Sequence, residues 1–202
     1  MKKIFLLAAT LFAFANVNAQ ENEGFKGKWF LMGQAGYGTS NDGDSQNYSI
    51  LPAVGNFIAP TVAVGGAIGY IGTKDDLGDK NVNKTNAFVV QPLVRKYWGV
   101  SDKLFIFGQA SVPLMFGKNT QERANIIGNG VTSAEQKYTA YGIEIAPGLD
   151  YFLSSHWSIE TTFGIASWSA VKPKDGDARN DFNFGLNSGL LNGVKFGVKY
   201  IF

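Results

Sequence analysis

The last nine residues read Val194-Lys195-Phe196-Gly197-Val198-Lys199-Tyr200-Ile201-Phe202. In a β-strand, successive side chains point to opposite faces. Five large apolar side chains therefore share one face, while Lys195, Gly197, Lys199 and Ile201 share the other. An apolar face opposite a face with two lysines favours a strand that has lipid on one side and a polar lumen on the other.

The same alternation recurs upstream, most clearly from Thr139 to Tyr151 and from Trp157 to Ala166. With about ten residues per membrane crossing, the sequence predicts eight strands. Their ranges are 28–39, 47–57, 62–72, 85–97, 104–116, 136–152, 157–170 and 183–202. The last range is too long to be uninterrupted, so we expect either a bulge at Asn187-Ser188-Gly189 or a start nearer Leu190. We expect an all-β fold, an eight-stranded antiparallel up-and-down transmembrane β-barrel.

The N-terminus has the pattern of a secretory signal peptide. Lys2 and Lys3 precede an apolar run from Ile4 to Ala15, and small residues at 17 and 19 suit cleavage before Gln20. The run is shorter than the roughly 20 residues that a membrane helix needs. We expect residues 1–19 to be removed and residues 20–202 to form one barrel domain of 183 residues (202 − 19).

Charge and cysteine content narrow the classes of function. The chain has 18 basic and 16 acidic residues, and two of the basic ones lie in the predicted signal peptide. The remaining balance argues against nucleic-acid binding. Cysteine is absent, so disulfides and cysteine metal sites are excluded. An exported chain that crosses a membrane with strands must close into a barrel, which predicts the outer membrane of a Gram-negative bacterium.

The links between predicted strands alternate in length. Short links lie at 58–60, 99–103 and 153–156, and longer polar links lie at 40–46, 73–84, 117–134 and 171–181. Outer-membrane barrels have short periplasmic turns and longer outer loops. With an even number of strands, both termini are expected on the periplasmic side.

Several charged residues are predicted to project into the lumen. The interior of an eight-stranded barrel is just filled by side chains, and a buried charge there has to be paired. We favour a structural ion-pair network that fills the lumen, with a narrow or gated pore as the alternative. The lumenal candidates are Arg95, Glu144, Asp150, Glu160, Lys195 and Lys199.

Aromatic residues fall near the predicted strand ends, where Trp and Tyr favour the membrane–water interface. They predict two girdles of interface residues. The candidates are Trp29, Tyr37, Tyr70, Trp98, Tyr151 and Trp157.

We expect no enzymatic activity, no cofactor and no metal site. The single histidine, His156, lies in a predicted periplasmic turn, whereas barrel enzymes of this size work from the outer-leaflet side. Acidic pairs such as Asp42 and Asp44 in the long links are interpreted as solvated turn residues. Their alternative role is to hold Ca²⁺ or Mg²⁺ next to lipopolysaccharide phosphates.

Three segments resemble the small outer-membrane β-barrel family, which includes the OmpA-type transmembrane domains, OmpX and OmpW. They are the opening strand from Gly27-Lys28-Trp29-Phe30-Leu31 to Tyr37-Gly38, Pro92-Leu93-Val94-Arg95, and the terminal 196–202. The resemblance implies that the C-terminal aromatic strand, through Tyr200 and Phe202, is read by the barrel-assembly machinery. It also implies contact with outer-membrane lipids and lipopolysaccharide.

The expected function is therefore a structural or surface-interaction role, with an extracellular ligand contacted through the loops. Resemblance to OmpW supports the alternative of a small porin-like channel or a carrier of hydrophobic compounds. An outer-membrane lipid-modifying enzyme is a third hypothesis.

Overall fold

The computed structural model describes residues 24–40, 44–78, 81–124, 130–185 and 194–202. The predicted signal peptide and the predicted bulge at Asn187-Ser188-Gly189 lie outside these residues. The strands are β1 (Trp29–Ser40), β2 (Ser45–Ala59), β3 (Val62–Asp76), β4 (Val82–Gly99), β5 (Leu104–Ser111), β6 (Leu114–Ala124), β7 (Val131–Phe152), β8 (Trp157–Phe163), β9 (Ala166–Pro173), β10 (Arg179–Phe184) and β11 (Val194–Ile201). In the described part of the chain, no helix has the length and apolar character needed to cross a membrane.

The sheet closes on itself, which confirms the predicted eight-stranded antiparallel barrel. Each strand pairs antiparallel with the next around the wall, and β11 pairs with both β8 and β1. β5 and β6 both lie between β4 and β7 in one unbroken register and form a single barrel strand. They separate at Pro113, which has no N–H to donate to the ladder.

β8 and β9 likewise form one barrel strand, but their register against β7 shifts by one residue. Gly148 pairs with Thr162 on β8, whereas Ile145 pairs with Ala166 on β9. One extra residue on one strand is a β-bulge, which bends the strand.

β10 and β11 lie beside β9 and β8 respectively and together occupy the position of the eighth strand, which the sequence predicted at 183–202 with an interruption. β10 begins at Arg179, inside the predicted loop 171–181, and pairs with β9, while β11 pairs with β8 and β1. All six residues of β10 are exposed. Phe182 and Phe184 share one face and alternate with Asp181 and Asn183, and the strand pairs with β9 along its whole length.

The strands also extend further at one end of the barrel than predicted. β6 continues to Ala124 rather than to 116, and β7 begins at Val131 rather than at 136. The backbone hydrogen bonds between strands continue there, although both faces of the strands are polar. The prediction ended each strand too early because it followed the alternation of apolar residues, which stops before the pairing does. The predicted long loops at 73–84 and 117–134 are correspondingly shorter.

We name the two ends of the barrel by their connections. The short-turn end contains the turns at 60–61, 100–103 and 153–156, and the long-loop end is the opposite one. Both ends of the barrel wall meet at the short-turn end, where Trp29 and Phe202 exchange two backbone hydrogen bonds of 3.0 Å.

Candidate functional site: the charged lumen

Among the described residues, six charged side chains are buried inside the barrel, and each is at most 4% exposed. They are the six lumenal candidates of the sequence, Arg95, Glu144, Asp150, Glu160, Lys195 and Lys199. The structure brings them together in two groups. Because an unpaired ion in a low-dielectric interior costs several kcal/mol, the contacts within each group decide what the lumen can do.

The first group is centred on a two-pronged ion pair between Arg95 and Glu160. Arg95 Nη1 donates to Glu160 Oε2 at 2.8 Å and Nη2 donates to Oε1 at 3.0 Å. Arg95 Nε donates to Gln109 Oε1 at 2.7 Å, and Gln34 Nε2 donates to Glu160 Oε1 at 2.7 Å. This planar geometry is the strong form of a carboxylate–guanidinium contact.

Lys199 joins this pair to Asp150. Its ammonium group forms an ion pair with Asp150 and lies 3.8 Å from Glu160 Oε2. It also donates to Tyr97 Oη at 3.4 Å. Two cations and two carboxylates therefore form one neutral cluster, which we call the buried quartet: Arg95, Asp150, Glu160 and Lys199.

The second group is a looser pair nearer the long-loop end. Lys195 Nζ lies 3.6 Å from Glu144 Oε1, beyond hydrogen-bond distance, and both side chains are almost fully buried. Neither Glu144 oxygen has a hydrogen-bond partner among the described residues. The barrel therefore holds a tight charge cluster at one level and a loosely paired one above it.

An aromatic cluster closes the lumen between the buried quartet and the short-turn end. The ring centroids of Phe57 and Tyr97 are 5.4 Å apart, and those of Tyr97 and Phe107 are 5.6 Å apart. These distances lie in the favourable range for aromatic pairs. The aromatic cluster consists of Phe25, Phe30, Phe57, Tyr97, Phe105, Phe107 and Phe152.

Phe25 comes from the segment before β1 and not from the barrel wall. Its ring stacks on Phe152 at 5.2 Å and lies 5.0 Å from Phe57. The Phe25 amide donates to the carbonyl of Pro60 at 3.2 Å. The chain thus crosses the short-turn end before it enters the wall, and places one ring inside.

The aromatic cluster also contacts the buried quartet. The Arg95 guanidinium lies 4.4 Å from the ring centroid of Phe107, and Lys199 Nζ lies 4.9 Å from that of Tyr97. Cation–π attraction of this kind is strongest where both partners are shielded from water. The two sets of residues therefore form one packed plug.

Glycine supplies the space that two of these contacts need. A Cβ at Gly148 would lie 2.2 Å from the ring of Phe107 and 2.4 Å from the backbone oxygen of Thr161. A Cβ at Gly197 would lie 3.0 Å from the side chains of Gln34 and Glu160. Glycines inside strands commonly mark such close approach.

The six predicted interface aromatics all lie on the outer wall and are exposed. Trp29, Trp98, Tyr151 and Trp157 lie near the short-turn end, and Tyr37 and Tyr70 lie towards the long-loop end. On β4, the outward residues Phe88 and Trp98 are ten residues apart. That separation is about 33 Å along the strand and about 25 Å across the membrane at the usual tilt, which matches the apolar band of outer-membrane barrels.

Sequence reasoning missed the polar partners of the buried quartet. Tyr97 lies two residues from the predicted lumenal charge Arg95 and therefore shares its face. The two-residue spacing in a strand could therefore have predicted a lumenal side chain at this position. No such spacing could have predicted the position of Phe25, because Phe25 belongs to no strand.

His156 lies in the turn between β7 and β8 at the short-turn end and is exposed. Its Nδ1 is 2.9 Å from the hydroxyl of its neighbour Ser155, and its ring stacks on Tyr200 at 5.8 Å. Within the described ranges, no three His, Asp or Glu side chains come together in a way that would hold a metal ion.

No protein-family model matches the sequence, and no curated protein matches it. Solved structures do match in fold. The outer membrane protein OprG from Pseudomonas aeruginosa is 13% identical with a TM-score of 0.50, and the match covers 90% of this chain and 99% of OprG. The N-terminal β-barrel domain of Pseudomonas aeruginosa OprF is 13% identical with a TM-score of 0.37, over 88% of this chain and 98% of that domain.

A third match is the outer membrane protein AlkL, determined in lipid bilayers. It is 12% identical with a TM-score of 0.36, over 93% of this chain and 95% of AlkL. At these identities, the likeness concerns the fold. The likeness to OprG and the closed wall show that this chain folds as a small antiparallel β-barrel of the kind found in outer-membrane proteins.

Proposed function

We propose that the protein is a closed-lumen barrel with a structural or surface-interaction role in the outer membrane. The observation that carries this proposal is the plug formed by the buried quartet and the aromatic cluster. Arg95, Asp150 and Lys199 are each 0% exposed, as are Phe57 and Phe107. An ion crossing the barrel would have to break paired charges and separate packed rings.

Planar-bilayer recording tests the closed lumen. We expect the purified wild-type barrel to be electrically silent, because its plug leaves no hydrated path. Insertion is checked on the same sample by heat-modifiable gel mobility, so that silence is not mistaken for failure to insert. Discrete openings from wild-type protein, with an amplitude that changes in Glu160→Gln, would contradict the proposal and favour the alternative of a small channel.

We also propose that the barrel is not an enzyme. Ser155 and His156 are sequence neighbours in an exposed turn, and hydrolysis of the serine type needs a third residue that orients the histidine. On overexpression, we expect the lipid A mass spectrum to equal that of the empty-vector strain. A new acylation or deacylation product that His156→Ala abolishes would refute this.

The terminal strand is proposed as the signal for the barrel-assembly machinery, as the family resemblance implies. Tyr200 packs edge-on against Trp157 at 4.9 Å and stacks on Phe202 at 6.1 Å. Phe202 remains 60% exposed. An exposed aromatic side chain next to β11 is accessible to a partner protein.

A further inference from the structure

Lysines occupy adjacent positions on the outer wall at the long-loop end. Lys118 of β6 pairs directly with Lys137 of β7, and the amide of Lys174 donates to the Lys137 carbonyl at 2.9 Å. Lys172 of β9 pairs with Thr139, two residues along β7. All four lysines are exposed. We call them the basic patch.

Only one of the four lysines of the basic patch forms an ion pair with an acid of the described residues. Lys118 donates to Glu135 at 2.9 Å. Among the described residues, no acid lies within 4.0 Å of Lys137, Lys172 or Lys174. Like charges opposite each other in a sheet are destabilising, so the arrangement favours an anion supplied from outside the chain.

The level of the basic patch in the membrane identifies the source of that anion. A row of outward residues, Ile50, Tyr70, Phe88 and Phe116, pairs across four strands beside the patch. The row continues through Thr139 to Lys172, and Lys118 and Lys137 lie two residues beyond it. Tyr70 in this row is of a residue type that favours the boundary between hydrocarbon and headgroups. Lys118 lies two residues beyond Phe116, about 7 Å further along the strand, which is the level of lipid headgroups.

A cleft of about 700 Å³ at this point is lined by the outward residues Tyr70, Phe88, Phe116, Lys118, Lys137 and Lys172, together with Ala87 and Tyr138, which face the lumen. Its outward aromatic residues lie towards the hydrocarbon, and Lys118 and Lys137 lie towards the long-loop end. A ligand suited to it has an apolar part and an anionic part.

We propose that the basic patch binds the phosphate groups of a phosphorylated glycolipid in the outer leaflet, whose acyl chains lie along the aromatic row. Lysine binds phosphate as a compact point charge. The long-loop end is the outward end in outer-membrane barrels, so the leaflet follows from the fold. The site is independent of the closed lumen and would exist equally on a conducting barrel.

The test compares two triple variants that remove the same charge. One is Lys137→Gln with Lys172→Gln and Lys174→Gln. The control is Lys26→Gln with Lys28→Gln and Lys103→Gln, three exposed lysines at the short-turn end. Folded protein in detergent micelles is titrated with bisphosphorylated lipid A, and the bound lipid is measured by native mass spectrometry.

We expect the patch variant to bind lipid A about 100-fold more weakly than wild type, since each surface lysine contributes about 1 kcal/mol at an anionic membrane surface. The control variant should bind like wild type. If the patch triple does not fold, Lys137→Gln alone should still weaken binding roughly fivefold.

Two further titrations distinguish a lipid phosphate from free phosphate as the bound anion. Lipid A stripped of both phosphates should not bind, and millimolar inorganic phosphate should not displace lipid A. Equal weakening in the patch and control variants would overturn the proposal. Equal binding of phosphorylated and stripped lipid A would overturn it too, and so would displacement by free phosphate.

Discussion

Replacing Glu160 by Gln is expected to lower the free energy of unfolding by about 3–5 kcal/mol, because it removes one partner from a buried ion pair. Glu160 neutralises both Arg95, at 2.8 Å, and Lys199, at 3.8 Å. Without its charge, the buried quartet retains two cations and one carboxylate in an interior that excludes water. Urea unfolding in lipid vesicles, followed by tryptophan fluorescence, measures the loss.

The matched control is Glu122→Gln, which breaks an ion pair on the outer surface. Lys84 Nζ lies 2.6 Å from Glu122 Oε1, but the two side chains are 39% and 30% exposed. Exposed pairs of this kind contribute about 0–1 kcal/mol. Equal losses in Glu160→Gln and Glu122→Gln would show that the lumen is hydrated and that the buried quartet is not shielded as described.

A double variant tests whether the loss of stability in Glu160→Gln comes from the unpaired charge of Arg95 or from altered packing. Arg95→Met with Glu160→Leu removes both charges and leaves apolar side chains in their place. Buried ion pairs replaced in this way are often neutral or more stable, so we expect the double variant to unfold at a higher urea concentration than Glu160→Gln. If the double variant is less stable than Glu160→Gln, the loss of unfolding free energy comes from poorer side-chain packing and not from the unpaired charge.

Phe107→Ala is expected to cost about 3–5 kcal/mol, which is the range for a large aromatic side chain removed from a packed interior. Phe107 is 0% exposed and contacts Tyr97 and the Arg95 guanidinium. The loss combines the transfer of the ring with the cavity that remains. The same unfolding assay measures it.

The control for this prediction is Phe116→Ala on the outer wall, where the side chain is 54% exposed and faces lipid. Lipid chains fill the space that a removed outer ring leaves, so no cavity term arises. Phe107→Ala should therefore cost clearly more than Phe116→Ala. The reverse order would mean that the aromatic cluster is not a packed core.

The sequence alone predicted the wall of this barrel, because side-chain alternation is a local property of each strand. In β11, the order Lys195, Gly197, Lys199 placed three residues on the inner face before any neighbour was known. The alternation depends only on the two environments of a strand, lipid on one face and a narrow lumen on the other, and not on which strands are its neighbours. Where both faces are polar, as at the long-loop ends of β6 and β7, the pattern is absent, and these strands run further than the sequence predicted.

Tertiary structure decided the contacts between strands, because register and closure are non-local. It aligned Arg95 of β4 with Glu160 of β8 across the lumen, and it brought Lys118, Lys137 and Lys174 next to each other on the outer wall. It also placed Phe25, which lies outside every strand, in the short-turn end. The last nine residues thus determined that the chain spans a membrane as a barrel strand. Counting along the strands placed Lys199 at the depth of Asp150 and Glu160, and closure of the barrel brought these side chains into contact.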